Sequence, residues 1–295
     1  MTTDAERKGP ADSQFVLNVS CRSAPGQVAS IVKFLDERSC YIEEFDVFDD
    51  TCTAHFFVRT VFHVAPGGDP FLSAFRADFG RVADLHEMTW SIYDLRQPVK
   101  VMILVSRLDH CLADLIFRWR MKELRMDIVA VVSNHADLAP LAVANGLPFH
   151  HLPVTSETKA QQEEKILQLI DATGADLVVL ARYMQILSPQ TSRALLGRAI
   201  NIHHSFLPGF KGARPYHQAH SRGVKVIGAT AHFVTDDLDE GPIIEQVVER
   251  VTHAYDPERL LATGRDMECL ALARAVKLYL ERRIFLNQGR TVVFA

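Results

Sequence analysis

From residue 99 onward, short uninterrupted apolar runs alternate with helical patterns, and that alternation leaves few folds open. VKVMILVS (99–106), DIVAVVS (127–133), ADLVVLA (175–181) and AINIH (199–203) are apolar at neighbouring positions, not at every second one. Successive side chains of a strand point to opposite faces, so such a strand must be covered on both. Parallel sheets with helices on either side meet that requirement. Helical patterns fall between the runs, at 108–124, 136–144 and 157–172. Two further strands, 226–234 and 242–251, flank an acidic loop, Asp236-Asp237-Leu238-Asp239-Glu240-Gly241, and 257–282 reads as a closing helix. The pattern predicts a doubly wound, mostly parallel α/β domain over 99–295.

Residues 14–94 have another texture. FVLNVS (15–20) is strand-like, Pro25-Gly26 is a turn, and Val28, Ile31, Val32 and Leu35 recur at helical spacing. YIEEFDVFDD and TCTAHFFVRTVF predict a hairpin turning at Asp49-Asp50. A second helix over 69–79 and an alternating strand over 86–93 complete a β-α-β-β-α-β order. This is the split βαβ, ferredoxin-like α+β plan. Residues 1–13 are polar and read as a disordered tail, and 95–98 as a linker.

Composition narrows the partners. A formal charge of −4 without a basic stripe argues against nucleic acid. No apolar run reaches the roughly 20 residues of a membrane span, so a soluble chain is expected. Five scattered cysteines without a CxxC pair suggest neither a disulfide framework nor a zinc ribbon, and fit a reducing cytoplasm.

The chemistry concentrates at Asn201-Ile202-His203. Two positions apart at a strand end, Asn201 and His203 leave one face of the sheet, at the carboxyl edge where open α/β sheets bind ligands. An amide that donates to an oxyanion beside an imidazole that moves a proton suits acyl transfer. A carboxylate to serve the histidine is available in the 236–241 loop. His203-His204 with His217, His220 and His232 raises a metal, but there is no HExxH, and neighbours on a strand point apart. Ser205 lacks the GxSxG elbow of a serine nucleophile.

Asn201-Ile202-His203 with Ser205, Leu207 and Pro208, followed by Asp239 in an Asp-x-Gly-x-Ile-Ile context, resembles the folate-dependent formyltransferase family. The resemblance implies Asn201, His203 and Asp239 as the catalytic trio. It also implies a pterin pocket lined by Arg182, Tyr183, Met184, Gln185, Ile186 and Leu187 with the Thr235, Asp236 loop. His232 would lie behind the trio, and Lys159 near the glutamate tail. Transferases to glycinamide ribonucleotide hold its phosphate on a glycine-rich turn after the first catalytic strand. Here that turn is Ser106-Arg107-Leu108-Asp109, with no glycine between Gly80 and Gly146. His203–Pro208 with Gly212–His217, and Asp109-His110-Cys111-Leu112, are instead similar to the formyltetrahydrofolate deformylases. That family carries an amino-terminal ACT domain. The implied reaction is hydrolysis of 10-formyltetrahydrofolate to formate and tetrahydrofolate, in one-carbon metabolism, without metal or cofactor. Further implications are a homo-oligomer and an amino-acid effector at the turn Ser23-Ala24-Pro25-Gly26, where serine replaces the usual acid.

Overall fold

The computed structural model describes residues 13–64, 71–207 and 215–295. The predicted tail and the 208–214 part of the motif region therefore lie outside the described residues, apart from Ser13. The chain divides into two compact units, Met1–Gln97 and Pro98–Val293.

The first unit comprises β1 (Ser13–Arg22), α1 (Gln27–Asp36), β2 (Cys40–Asp50), β3 (His55–Val64), α2 (Phe71–Leu85) and β4 (Thr89–Asp94). Its sheet is antiparallel in the order β2-β3-β1-β4. Phe15, Leu17 and Val19 of β1 share one core with Ile31, Phe34 and Leu35 of α1 and Phe75 and Phe79 of α2. The Phe34 ring meets Phe75 and Phe79 edge-on at centroid distances of 5.1 and 5.0 Å, the geometry aromatic quadrupoles favour. The hairpin turn falls later than the sequence suggests. Asp50 still pairs with His55, and Ala54 takes a left-handed backbone (φ 52°), so Thr51–Ala54 form the loop.

The second unit contains β5 (Val99–Val105), α3 (His110–Arg120), β6 (Met126–Ser133), α4 (Ala139–Ala144), β7 (Phe149–His151), α5 (Lys159–Thr173), β8 (Leu177–Leu180) and α6 (Pro189–Ala194). It continues with β9 (Ala199–His203), α7 (Pro215–Ser221), β10 (Val226–Phe233), β11 (Ile243–Arg250), α8 (Pro257–Leu280), β12 (Ile284–Asn287) and β13 (Arg290–Val293). Seven strands form one sheet in the order β11-β10-β9-β8-β5-β6-β7. β5 to β9 run parallel, and β10 and β11 are antiparallel additions. Along β5 the odd residues Val101, Ile103 and Val105 join a core with Leu112 and Leu115 of α3 and Ala271 and Leu272 of α8. The even residues Met102 and Leu104 join another with Ile166 and Ile170 of α5. That division is the physical reason the run is apolar throughout.

After β7 the chain returns to the opposite side of β5 to lay down β8 and β9. The crevice at this reversal, beyond the strands' carboxyl ends, is the ligand position in doubly wound sheets.

Candidate active site

A cavity of about 270 Å³ opens at that crevice, between the segment after β8, the end of β9 and the loop after β10. Arg182 through Leu187 form one wall, Asn201, His203 and His204 the floor, and His232 with Val234–Asp239 the other wall. Backbone geometry sets these walls. Arg182 takes a left-handed conformation (φ 62°), turning the chain as it leaves the sheet. Ser106, at the end of β5, accepts a hydrogen bond from the Met184 amide at 3.0 Å and donates to Asn134 Oδ1 at 2.7 Å. One buried hydroxyl thus fixes the 182–187 wall to the sheet edge.

Asn201 lies directly opposite His232 across the β9–β10 pair, and side chains of such pairs are in contact range. Asn201 Nδ2 is 3.3 Å from His232 Nε2. A register shift between Ala231 and His232 in the β10–β11 pairing accompanies this placement. Such bulges re-aim side chains near sites. His232 Nδ1 is 2.9 Å from the Phe233 carbonyl, an obligate acceptor, so that nitrogen carries a proton. In the neutral ring Nε2 then accepts from the Asn201 amide.

His203 Nδ1 meets Asp239 Oδ2 at 3.1 Å, and Asp239 Oδ1 is 3.6 Å from His232 Nε2. Burial alone would raise the Asp239 carboxyl, but the hydrogen bond from His203 and the proximity of the His232 ring outweigh it and hold it well below the usual carboxylate range. His203 Nε2 is buried and has no hydrogen-bond partner among the described residues. Asp239 occupies a left-handed backbone (φ 56°) in a loop that turns back immediately at Gly241. A Cβ at Gly241 would lie 1.7 Å from the Phe233 oxygen, so only glycine permits this approach. The segment beyond His204 is pinned as well. Thr230 Oγ1 donates to the Ser205 carbonyl at 2.9 Å and accepts from the Leu207 amide at 3.1 Å.

His204 departs from the expectation that it points away. It stands just past the strand end, where alternation no longer applies, and its ring centroid is 5.0 Å from that of His203. Burial, then the charges of Arg182 and His203, lower its pKa to about 4.

Of the residues read from sequence, the structure brings Asn201, His203, Asp239, His232, Arg182 through Leu187, Thr235 and Asp236 to one cavity. Tyr183 also reaches inward, its hydroxyl accepting from Gln162 at 2.7 Å. Lys159 is not in the lining. Its Nζ is 3.9 Å from Glu163, a buried carboxylate that accepts from the Ser188 amide at 3.0 Å and the Thr191 hydroxyl at 2.6 Å at the start of α6. In the first unit, Gly26 (φ 88°) precedes α1, and the Ser23 hydroxyl donates to Asp49 of β2. Gln27 closes that turn, bonding the Ala24 amide and the Arg22 carbonyl.

His110, Cys111 and Glu268 place potential metal ligands within 4.8 Å of one another. They do not fit an ion well. His110 already bonds Glu268 at 2.7 Å, and the Arg182 cation stands 3.4 Å from the same oxygen. A hydrogen bond with Cys269, then burial, keeps the Cys111 thiol protonated.

A family model described as formyl transferase matches residues 99–276. A formyltetrahydrofolate deformylase from Corynebacterium sp. (strain P-1) is 47% identical, over 94% of this chain and 97% of its own length. The crystal structure of a formyltetrahydrofolate deformylase from Burkholderia mallei superposes with a TM-score of 0.92 at 63% identity, covering 96% of this chain and 100% of that one. The chain belongs to the formyltetrahydrofolate deformylase family. Against that family the glycinamide ribonucleotide transformylase of Symbiobacterium toebii is more distant: TM-score 0.64, 28% identity, 67% of this chain and 95% of that one. In this deformylase-family chain, sequence reasoning missed Asn134 and Glu268, and it named Ser106, His204 and Gly241 without the roles the structure gives them. Their roles depend on contacts between segments far apart in sequence. Only Gly241, following an acidic run, carried a local signal.

No helix among the described residues is long and apolar enough to cross a membrane.

Proposed function

We propose that this chain hydrolyses 10-formyltetrahydrofolate to formate and tetrahydrofolate, with Asn201, His203 and Asp239 as the groups that act. The observation that carries the reading is the unpartnered His203 Nε2 beside Asn201, with Nδ1 tied to an ionised Asp239. Asp239 takes the Nδ1 proton as its hydrogen bond, so the proton that comes and goes belongs to Nε2. The N10 lone pair of the substrate is shared with an aromatic ring, which leaves the formyl carbon more electrophilic than that of an ordinary amide. Water adds to this carbon while His203, supported by Asp239, removes a proton. The Asn201 amide donates to the oxyanion. The tetrahedral centre collapses, the C–N bond breaks, and the proton passes to N10. These steps use protein groups and water alone.

The exposed apolar side chains of Met184, Ile186 and Leu238 give the cavity rim the character a flat pterin and its aryl group need. Formate release from 10-formyltetrahydrofolate with no acceptor present tests the reading. Turnover only when an amine is added would make the chain a transferase instead.

The first unit's βαββαβ order and its sheet order support an ACT domain. An amino-acid effector at its turn would place its carboxylate near Gly26. Its ammonium would find Asp49, so the acid absent at Ser23 is supplied from β2. Titrating activity with millimolar glycine and methionine, on wild type and Asp49→Asn, tests this. A wild-type response that survives Asp49→Asn counts against it. The exposed Tyr41, Val47 and Phe48 on edge strand β2 support a homo-oligomer formed through this unit, and five cysteines without a CxxC pair fit a cytoplasmic location.

A further inference from the structure

We infer that the Arg182 guanidinium, held from behind by Glu268 and flanked by His204, is the subsite for the carboxylate product, formate. The inference rests on the deformylase reading and adds a binding group that the hydrolysis itself does not name. Hydrolysis converts a neutral formamide into an anion: water supplies the new C–O bond, N10 leaves with a proton, and the second proton departs as formic acid ionises. That anion is born in a cavity whose wall carries Asp236, Asp237 and Asp239. Among the described lining residues, Arg182 is the only lysine or arginine. Arg193, outside the lining, offsets Asp236 at 2.6 Å, which leaves Arg182 to offset the rest of that wall.

Arg182 is built in, not merely present. Its side chain is 11% exposed, and its Nε is buried without a hydrogen bond among the described residues, 3.4 Å from Glu268 Oε2. Glu268 is 2% exposed and is itself anchored. His110 bonds it at 2.7 Å, and the Tyr216 hydroxyl donates to Oε1 at 3.3 Å. A Cβ at Gly264, one turn earlier on α8, would lie 2.0 Å from that hydroxyl, so the helix leaves a slot for it. Four segments (α3, the wall after β8, α7 and α8) thus converge on one buried carboxylate. Burying such a pair contributes little stability relative to apolar side chains of the same size. Holding a guanidinium at a fixed angle in a cavity is what the arrangement achieves. Glu268 uses the Nε side, and no hydrogen bond to either terminal nitrogen of Arg182 occurs among the described residues. His204, neutral beside it, adds a donor without adding a competing charge.

The test is product inhibition by sodium formate, with sodium chloride at equal ionic strength as the control. Variants are Arg182→Gln, Arg182→Lys and Glu268→Gln, each checked for folding by circular dichroism. Wild type should be inhibited saturably by formate. Arg182→Gln should raise the inhibition constant about 10-fold or more, the loss expected of a charge-assisted contact, with kcat falling more than KM rises. Glu268→Gln, which unmasks and unanchors the guanidinium, should change the same constant by more than it changes KM, which a loss of mere rigidity would not do. Arg182→Lys, which keeps the charge, should retain part of the inhibition and decides the matter if Arg182→Gln does not fold. Formate inhibition equal in wild type and the charge-removing variants, or none in wild type, overturns the subsite. Absence of formate release by wild type instead overturns the underlying hydrolase reading, so the two failures are distinguishable.

Discussion

At the scale of single residues, the site works by fixing which atom each proton can occupy. Asp239 accepts from His203 Nδ1, and the Phe233 carbonyl accepts from His232 Nδ1. The two rings therefore differ in what is left over: His203 keeps a buried Nε2 without a hydrogen-bond partner among the described residues, whereas His232 gives its Nε2 to Asn201. Removing the charge at Asp239 while keeping its size disturbs only the first of these. Asp239→Asn should lower formate release by at least about 100-fold, the usual scale for a lost general-base partner, while folate binding, measured by fluorescence quenching, stays within a few-fold. Near-normal turnover in that variant would remove Asp239 from the mechanism.

At the scale of elements, the legible parts were those with a strong local period. β5, β6, β8 and β9 are apolar runs, and α5 and α8 are long enough to show their pattern. β7 has three residues and α6 has six, too few for a period to show. The closing hairpin of β12 and β13 carries no sharp turn signal in its Gln288-Gly289 link. Asn201 and His203 stood out because a strand end is a local feature, whereas the acidic loop offered several carboxylates and only the family resemblance singled out Asp239. The β-bulge at His232, the left-handed Asp239 and the Glu268 cluster arise only when distant segments meet. The loop between β10 and β11 shows the consequence. Gly241→Ala should displace the loop from the Phe233 carbonyl, carry Asp239 away from His203, and reduce turnover by about 100-fold or more. A variant with wild-type kcat would show that the loop absorbs the Cβ elsewhere.

The turn between β5 and α3 makes a second element-scale prediction. A phosphate cradle needs free backbone amides at a close-approach turn. Here the turn Ser106-Arg107-Leu108-Asp109 has no glycine to permit that approach, none occurring between Gly80 and Gly146. Calorimetry should therefore detect no submillimolar binding of glycinamide ribonucleotide. Tighter binding would favour transfer to an amine over hydrolysis.

At the scale of the whole molecule, the site's charges are set against stability as pH falls. His204 ordinarily titrates near 6.5, but in the fold its pKa lies at about 4. Between those values the unfolded chain holds a proton that the folded chain excludes. Stability is therefore complete above about pH 6.5 and lost as pH falls toward 4, by at most about 3 kcal/mol. Asp239 and Glu268 act in a lower window, because both are held below the ordinary carboxylate value. Their contribution is present above about pH 4 and is lost only as acid protonates them. Replacing His204 by glutamine removes the upper titration while keeping a polar side chain. Urea unfolding of the full chain carrying Trp90→Phe, followed by the fluorescence of Trp119 in the second unit, should give a midpoint that drops from pH 7.5 to pH 5 with His204 present. In His204→Gln the drop should be clearly smaller. Equal drops in the two proteins would mean that acid sensitivity resides outside the catalytic cleft, and that His204 is not kept neutral by its burial beside Arg182.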